Sequence, residues 1–434
     1  MRVGLLGCGN VGAAVARMLH DHAKEIAGRA GIGIEVARVA VRDLSKERAV
    51  PVAGEAFATD PFDVVRDPSI DVVVELIGGT DPAGDLILEA LSLGKPVVTA
   101  NKELLATRPR ELFRAAHAGG ADLLYEAAVG GGIPIIRSMR ESLAGDRILR
   151  FMGIVNGTTN YILTRMTEDG MALKEALVEA QRLGFAEADP TADLEGHDAA
   201  AKAAILATIA FDLPVVASQV YREGIARLSP DDIRFARGMG FVVKLLAIAE
   251  TQDGDVSVRV HPTMISSSHP LASVRDSFNA VFIEGERVGP LMLYGRGAGG
   301  DPTATSVVGD LIELARNRGA GKGTSVIGHA AHAPDESSTT RRRVRSIEEL
   351  QAQYYILMRA ADRPGVLAAI ATSFARHMVS IKSVWQEGHD AEAQVVLITH
   401  RSSERSLNAC VQDLREIDTV TEVSSVVRVE AGEP

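Results

Sequence analysis

Cysteine is almost missing from this 434-residue chain: only Cys8 and Cys410 occur, far apart in sequence. A disulfide framework is thereby excluded, and a reducing compartment is expected. Aromatic residues are scarce at 4%, so a hydrophobic content of 46% must build its cores from Ala, Val, Leu and Ile. No run approaches the roughly 18 apolar residues that span a bilayer. The chain also opens directly on a strand pattern, so a cytoplasmic protein without membrane partners is expected. Net positive charge is lacking too. A formal charge of -11 disfavours nucleic-acid partners, whose phosphates need a basic surface. The one dense basic run, Arg341 to Arg345, is read as a solvated linker.

What is present is length for two or three domains. Short apolar runs at Val3–Leu6, Val36–Val41, Val72–Ile77, Pro96–Ala100 and Asp122–Tyr125 alternate with helical periodicity after the first glycine turn and at 82–93 and 110–118. That order calls for an α/β fold, a Rossmann-type doubly wound parallel sheet, over residues 1–128. From 129 to 301 the pattern becomes a second domain of α+β type, whose catalytic and dimerising role is implied only by the family resemblance given below. Its expected strands are Ile148–Val155, Val256–Val260 and Ala280–Glu284, and its expected helices are Lys174–Leu183 and Asp198–Phe211. A helix over about 302–326 is expected to pack back on the first domain. Residues 327–350 read as a polar linker, and 351–434 carry strand and helix patterns in βαββαβ order.

The first turn reads GCGNVG, with Gly7, Gly9 and Gly12 spaced as G-x-G-x-x-G and Asn10 and Val11 between the last two. Between a strand and a helix this spacing fits a dinucleotide pyrophosphate, because glycine lets backbone approach it and the helix N-terminus offers free N–H groups. A tight turn that binds nothing is the alternative. The second strand ends in RVAVRD. Arg42, with Lys46 one turn on, can meet a 2′-phosphate and favours NADP; Asp43 on the ribose would favour NAD. Asn101 and Lys102 follow a strand on the carboxyl edge, where parallel sheets bind ligands. Cys8 is read as a small buried residue.

The segment from Gly184 to Lys202, GFAEADPTADLEGHDAAAK, crowds carboxylates around one lysine at the entrance to an alanine-rich helix. Asp198 and Lys202 are four apart and share a helix face, so Lys202 can act as an acid or a counter-ion. Asp193 or Glu195 can cap the helix. A metal cluster is the rival reading, which the absence of a histidine pair and the presence of Lys202 oppose. EAAVGGGI, Glu126 to Ile133, is a hinge or a turn whose carbonyls converge on a monovalent cation.

GLLGCGNVG, ANKELLA, NGTTNYIL, the 184–202 segment and GAGGDPTATSVVGDL together resemble homoserine dehydrogenase, in that family's order and over essentially the whole chain. The C-terminal part resembles an ACT domain, with ADRPGVL as its ligand loop. The resemblance implies reversible NAD(P)H-dependent reduction of L-aspartate 4-semialdehyde to L-homoserine, in threonine and methionine biosynthesis. It implies Lys202 as proton donor and Lys102 between cofactor and substrate. Glu187, Asp198 and Asp193 are implied to contact substrate, and Thr80, Gly184 and Gly300 the cofactor. It also implies a sodium site at Glu126, Val129, Gly131 and Ile133, feedback by threonine at Asp362 and Gly365, and a homodimer or homotetramer. Hydride addition to an aldehyde builds charge on oxygen that an ammonium can neutralise and protonate, which suits Lys202. The competing functions are a dehydrogenase of another amino or hydroxy acid and an amino-acid-sensing nucleotide-binding protein.

Overall fold

The computed structural model describes residues 1–319, 342–389 and 392–430. The chain parts into two compact units. The first holds Met1–Phe151, Ala201–Val220 and Asn279 through the helix ending at Gly319, with Arg342; the second holds Met152–Ala200, Tyr221–Phe278 and the residues from Arg343 on.

In the first unit the alternation of apolar strands and amphipathic helices gives β1 (Arg2–Leu6), α1 (Asn10–Asp21), α2 (Ala23–Ala30), β2 (Glu35–Ala40), β3 (Phe57–Ala58), α3 (Pro61–Arg66), β4 (Val72–Glu75), α4 (Ala83–Ser92), β5 (Val97–Thr99), α5 (Lys102–Thr107), α6 (Pro109–Gly119) and β6 (Leu123–Leu124). The sheet order is β3-β2-β1-β4-β5-β6, all parallel, as the doubly wound reading requires. All four residues of β4 are buried, because helices cover both faces of such a sheet. No helix follows β2: the segment after Ala40 is irregular, so Lys46 does not stand one helical turn beyond Arg42 as expected.

Then come α7 (Ile135–Arg137), β7 (Ile148–Ile154), α8 (Gly157–Glu168), α9 (Leu173–Arg182), α10 (Thr191–Leu194), α11 (His197–Phe211), β8 (Tyr221–Arg222), α12 (Pro230–Gly238), β9 (Phe241–Gln252), β10 (Asp255–Ser266), β11 (Phe278–Gly285), β12 (Gly289–Arg296) and α13 (Gly300–Gly319). α13 is the helix expected to return to the first sheet. Ala304, Val307, Leu311 and Leu314 are buried in one cluster with Val3, Val15, Leu19 and Val39. Each such Leu or Val contributes roughly 1.5–3 kcal/mol by leaving water. Residues 320–326 of the expected helix, and 327–341 of the expected linker, lie outside the described residues.

In the second unit β9 and β10 form a long antiparallel hairpin, where only 256–260 was expected as strand. Its turn, Asp253–Gly254, has φ of +53° and +87°, the two-residue geometry that Asp-Gly favours. The described part of the basic run stays partly solvated, with the Arg343 side chain 60% exposed, and also makes contacts that the charge run does not foretell. Val344 bridges to Val256, Arg343 pairs with Asp255 and Glu349, and Arg345 pairs with Asp253, so the acidic hairpin end binds these two guanidinium groups.

The C-terminal residues form β13 (Gln351–Ala361), α14 (Val366–Arg376), β14 (Ile381–His389), β15 (Glu392–Thr399), β16 (Ser402–Ser403), α15 (Glu404–Arg415) and β17 (Val420–Glu430). Four antiparallel strands in the order β17-β13-β15-β14 cover a core of Tyr354, Ile356, Phe374, Leu397 and Leu407. β17 also pairs in parallel with β10, Thr263–Ile265 against Arg428–Glu430, so this sheet continues the β9–β10 hairpin within the second unit. No helix among the described residues is long and apolar enough to cross a membrane.

Candidate active site

β1 ends at Leu6 and α1 begins at Asn10, so three residues turn the chain. Gly7 has φ +96°, and a Cβ there would lie 2.9 Å from the Leu76 carbonyl oxygen. A Cβ on Gly12 would lie 2.2 Å from the Gly7 carbonyl oxygen, so only glycine lets helix and strand approach this closely. Around Gly9, by contrast, nothing among the described residues lies within 4 Å of a Cβ position. Among the described residues no side chain caps α1, so its first N–H groups are available to an anion in that space. Asn10 is exposed there, while Val11 packs on the core behind it. Gly300 opens α13, and a Cβ on it would sit 3.0 Å from the Asn10 carbonyl oxygen, so a second helix N-terminus meets the same turn. The residues therefore fit a dinucleotide pyrophosphate. Burial pushes the half-buried Cys8 thiol up, against the pull of Arg48 and Arg17.

Beyond β2, Arg42 is exposed. Asp43 turns its carboxylate into its own loop, accepting from Ser45 N at 2.8 Å and Ser45 Oγ at 2.6 Å, and these bonds hold it below the ordinary carboxylate range. Arg48 donates to the carbonyl oxygens of Asp43 at 2.9 Å and Lys46 at 2.7 Å. Sequence reasoning missed Arg48, since its place here depends on loop conformation.

At the carboxyl ends of β4 and β5 the fully buried Glu75 accepts from Ile77 N, Gly78 N and Thr99 Oγ1 at 2.8, 2.9 and 2.6 Å. Asn101 caps α5 through Leu104 N and donates to the Gly79 carbonyl oxygen at 2.7 Å. This web ties the exposed loop carrying Thr80 to the start of α5, where Lys102 is exposed. Glu75 was read only as part of a strand. A carboxylate in an otherwise apolar central strand was the signal.

In the second unit Gly184 ends α9 with φ +78°, its N–H bonded to the Gln181 carbonyl oxygen at 3.1 Å. The following loop is held by Thr158 Oγ1 on the Phe185 carbonyl oxygen at 2.6 Å and by the Tyr161 and Phe185 rings, 4.9 Å apart. Glu187 is exposed, and Asp189 accepts from Thr191 N at the start of α10; the Thr191 side chain first and this N–H second lower its pKa. Asp193 does not cap the helix. It and the buried Asp198 both accept from Asn156 Nδ2, at 2.6 and 2.9 Å. Asn156 is 5% exposed and its Oδ1 caps α8 through Thr159 N at 2.9 Å. Asn156 opens the quoted NGTTNYIL motif but was assigned no role, because its partners lie about forty residues away in sequence. α11 carries Asp198 in its first turn and Lys202 four residues on, the pairing expected from helix periodicity.

Glu126, Val129, Gly131 and Ile133 are all buried. The Glu126 carboxylate accepts from Ile136 N at 2.9 Å and Arg137 N at 2.7 Å, so it faces the start of α7. The Glu126 N–H donates to Asp310, which also takes Arg137 Nη2 at 2.8 Å. Burial, then the Glu126 charge, pushes Asp310 up to about 8 against the pull of Arg137. Oxygen donors here are carbonyls. Gly131 O accepts from Ser306 Oγ at 2.6 Å and Ile133 O from Ile135 N at 2.8 Å, and each keeps a second lone pair. Among the described residues no group of three His, Cys, Asp or Glu side chains is placed to hold a metal.

In the C-terminal fold Asp362 follows β13 and accepts from Gln386 Nε2 at 3.0 Å, and a Cβ on Gly388 would lie 2.2 Å from Asp362 Oδ2. Gly365, with φ +94°, caps α14.

A parallel doubly wound sheet with this glycine turn defines a nucleotide-dependent α/β enzyme. Residues 7–126 match the family model described as homoserine dehydrogenase, NAD binding domain, and residues 134–312 match that described as homoserine dehydrogenase. The homoserine dehydrogenase of Mycobacterium tuberculosis is 46% identical over 439 residues, covering 99% of this chain and 97% of the relative. That of Bacillus subtilis is 41% identical, covering 100% and 99%. A homoserine dehydrogenase crystal structure from Thiobacillus denitrificans is similar at a TM-score of 0.93 and 44% identity, covering 99% of this chain and 98% of that one. A hyperthermophilic archaeal homoserine dehydrogenase in complex with NADPH is similar at 0.61 and 28% identity, covering 72% and 96%. The chain belongs to the homoserine dehydrogenase family. It is an NAD(P)-dependent oxidoreductase of amino-acid biosynthesis that interconverts L-aspartate 4-semialdehyde and L-homoserine.

Proposed function

We propose that Asp193 and Asp198, gathered by Asn156, hold the amino-acid substrate together with Glu187, and that Lys202 moves the proton. The observation that carries this reading is the shared Asn156 Nδ2, which sets two carboxylates side by side at the start of the helix that bears Lys202. Carboxylates suit the ammonium of the substrate. A nicotinamide cofactor, when bound, supplies or accepts the hydride. As negative charge grows on the aldehyde oxygen, Lys202 Nζ donates a proton to it; in oxidation the amine takes that proton back from the hydroxyl. Lys102, exposed at the start of α5, supplies a second positive charge.

The cofactor set is Gly7, Gly9, Asn10, Val11 and Gly12 at the turn, with Thr80, Gly184 and Gly300. NADP is preferred over NAD in this reading, because Asp43 spends its carboxylate on Ser45 while Arg42 is exposed and Arg48 stands in the same loop. The carbonyls of Glu126, Val129, Gly131 and Ile133 offer the hard oxygen donors that sodium takes. The C-terminal βαββαβ fold serves as an ACT-type regulatory domain that senses an amino acid, threonine first, at the Asp362–Gly365 loop. The enzyme works in the cytoplasm as a homodimer or homotetramer. The deciding assay is homoserine oxidation with NADP and NAD side by side, followed by nicotinamide absorbance. Turnover with NADP should exceed that with NAD; equal turnover removes the 2′-phosphate reading, and none with either cofactor removes the substrate reading.

A further inference from the structure

Arg428 lies on β17, with a side chain 4% exposed. Its Nε donates to Glu404 at 3.0 Å, and its Nη2 donates to Glu223 at 3.0 Å and to the Tyr221 hydroxyl at 3.2 Å, with the guanidinium 5.1 Å from the Tyr221 ring centre. Tyr221 in turn hydrogen-bonds Glu223. Burial pushes the Tyr221 hydroxyl up to about 12, so it stays a neutral donor. The planar fork of an arginine fixes its carboxylates in direction as well as distance, so the C-terminal fold dictates where Tyr221 and Glu223 stand.

From that point the chain runs directly against the substrate segment. Tyr221 and Arg222 form β8 on β10, and Glu223 N donates to the Val260 carbonyl oxygen at 2.8 Å. Ile225 N donates to the Leu194 carbonyl oxygen at 2.9 Å, and a Cβ on Gly224 would lie 2.0 Å from that same oxygen. Arg222 Nη1 reaches the Glu195 carbonyl oxygen at 3.4 Å and His197 Nε2 at 3.0 Å. Backbone pressed on backbone transmits displacement, since nothing between can compress. The strip 222–225 thus sets the turn at 194–197 from which α11 starts, and Asp193 and Asp198 flank that turn.

We infer that Arg428 is a positioning residue for the substrate carboxylates, acting through Tyr221, Glu223 and the strip 222–225, so that the C-terminal fold sets affinity for the amino-acid substrate. The inference rests on the reading of Asp193 and Asp198 as substrate ligands.

The test uses the full chain with Glu223→Gln, Arg428→Lys and, in parallel, Asp198→Asn. Glu223 has a side chain 37% exposed and Arg428 keeps its pairing with Glu404, so Glu223→Gln is the milder of the two changes. Glu223→Gln should raise KM for homoserine about 3- to 30-fold, the range for mutations along packed networks, with KM for the nucleotide unchanged. Amide exchange over 194–200 should quicken. Arg428→Lys, which keeps charge and loses the fork, should move KM the same way; if it fails to fold, Glu223→Gln alone decides. A lowered melting temperature with KM and exchange unmoved in Glu223→Gln would show a merely structural role and overturn the inference. If Asp198→Asn raises KM and Glu223→Gln does not, the relay alone is wrong. If Asp198→Asn leaves KM unmoved, the substrate reading falls and the relay with it.

Discussion

Asn156 Nδ2 stands 2.9 Å from Asp198 Oδ2 while the other end of the same amide caps α8. One side chain therefore links the fold of the second unit to its candidate chemistry. Asn156→Ala removes a helix cap, costing about 0.5–2 kcal/mol, and takes from Asp193 and Asp198 the Nδ2 donor that they share. Thermal unfolding should register the first effect, and a raised KM for homoserine the second. An unchanged KM would separate Asp198 from the substrate.

Lys202→Ala should lower kcat about a hundred- to ten-thousand-fold, the usual weight of a positioned acid or base. Nucleotide affinity, measured by fluorescence or calorimetry, should persist, because the glycine turn is untouched. Near-normal turnover would end the proton-donor role.

Arg42→Ala should weaken NADP and leave NAD nearly alone. A hydrogen bond to a charged group is worth about 1.5–3 kcal/mol, so the NADP-to-NAD ratio of kcat/KM should fall about ten- to a hundred-fold. An unmoved ratio would transfer the role to Arg48 or abolish it.

Asp310 predicts a pH signature. Its pKa is raised to about 8 in the fold, above the ordinary aspartate value of 3.8, so the folded state holds the proton more tightly. This contribution to stability is fully present below the unfolded value and is lost as pH rises through about 8. Asp310→Asn mimics the protonated form, so its melting temperature relative to wild type should climb between about pH 4 and 8 and level off above. A constant difference across that window would mean that Arg137 keeps Asp310 ionised.

Threonine titrated into the homoserine assay should inhibit the wild type and act weakly on Asp362→Ala. Equal inhibition of both would place the effector elsewhere.

The sequence by itself determined the periodic elements and the glycine turn. Strand-helix alternation, G-x-G-x-x-G after β1 and the βαββαβ order all rest on local backbone physics, which a linear pattern encodes. β9 escaped because FVVKLLAIAE is a continuous apolar run without strand alternation, although the Asp-Gly turn behind it was legible. Only the tertiary structure decided which polar groups meet. Asn156 with Asp193 and Asp198, Glu75 with Thr99, and Arg428 with Glu223 are each made between segments distant in sequence. The same holds for Arg343 and Arg345, which a charge run alone reads as solvated. A side chain's partner depends on which chain segments the packed cores bring together, and that choice has no period to read.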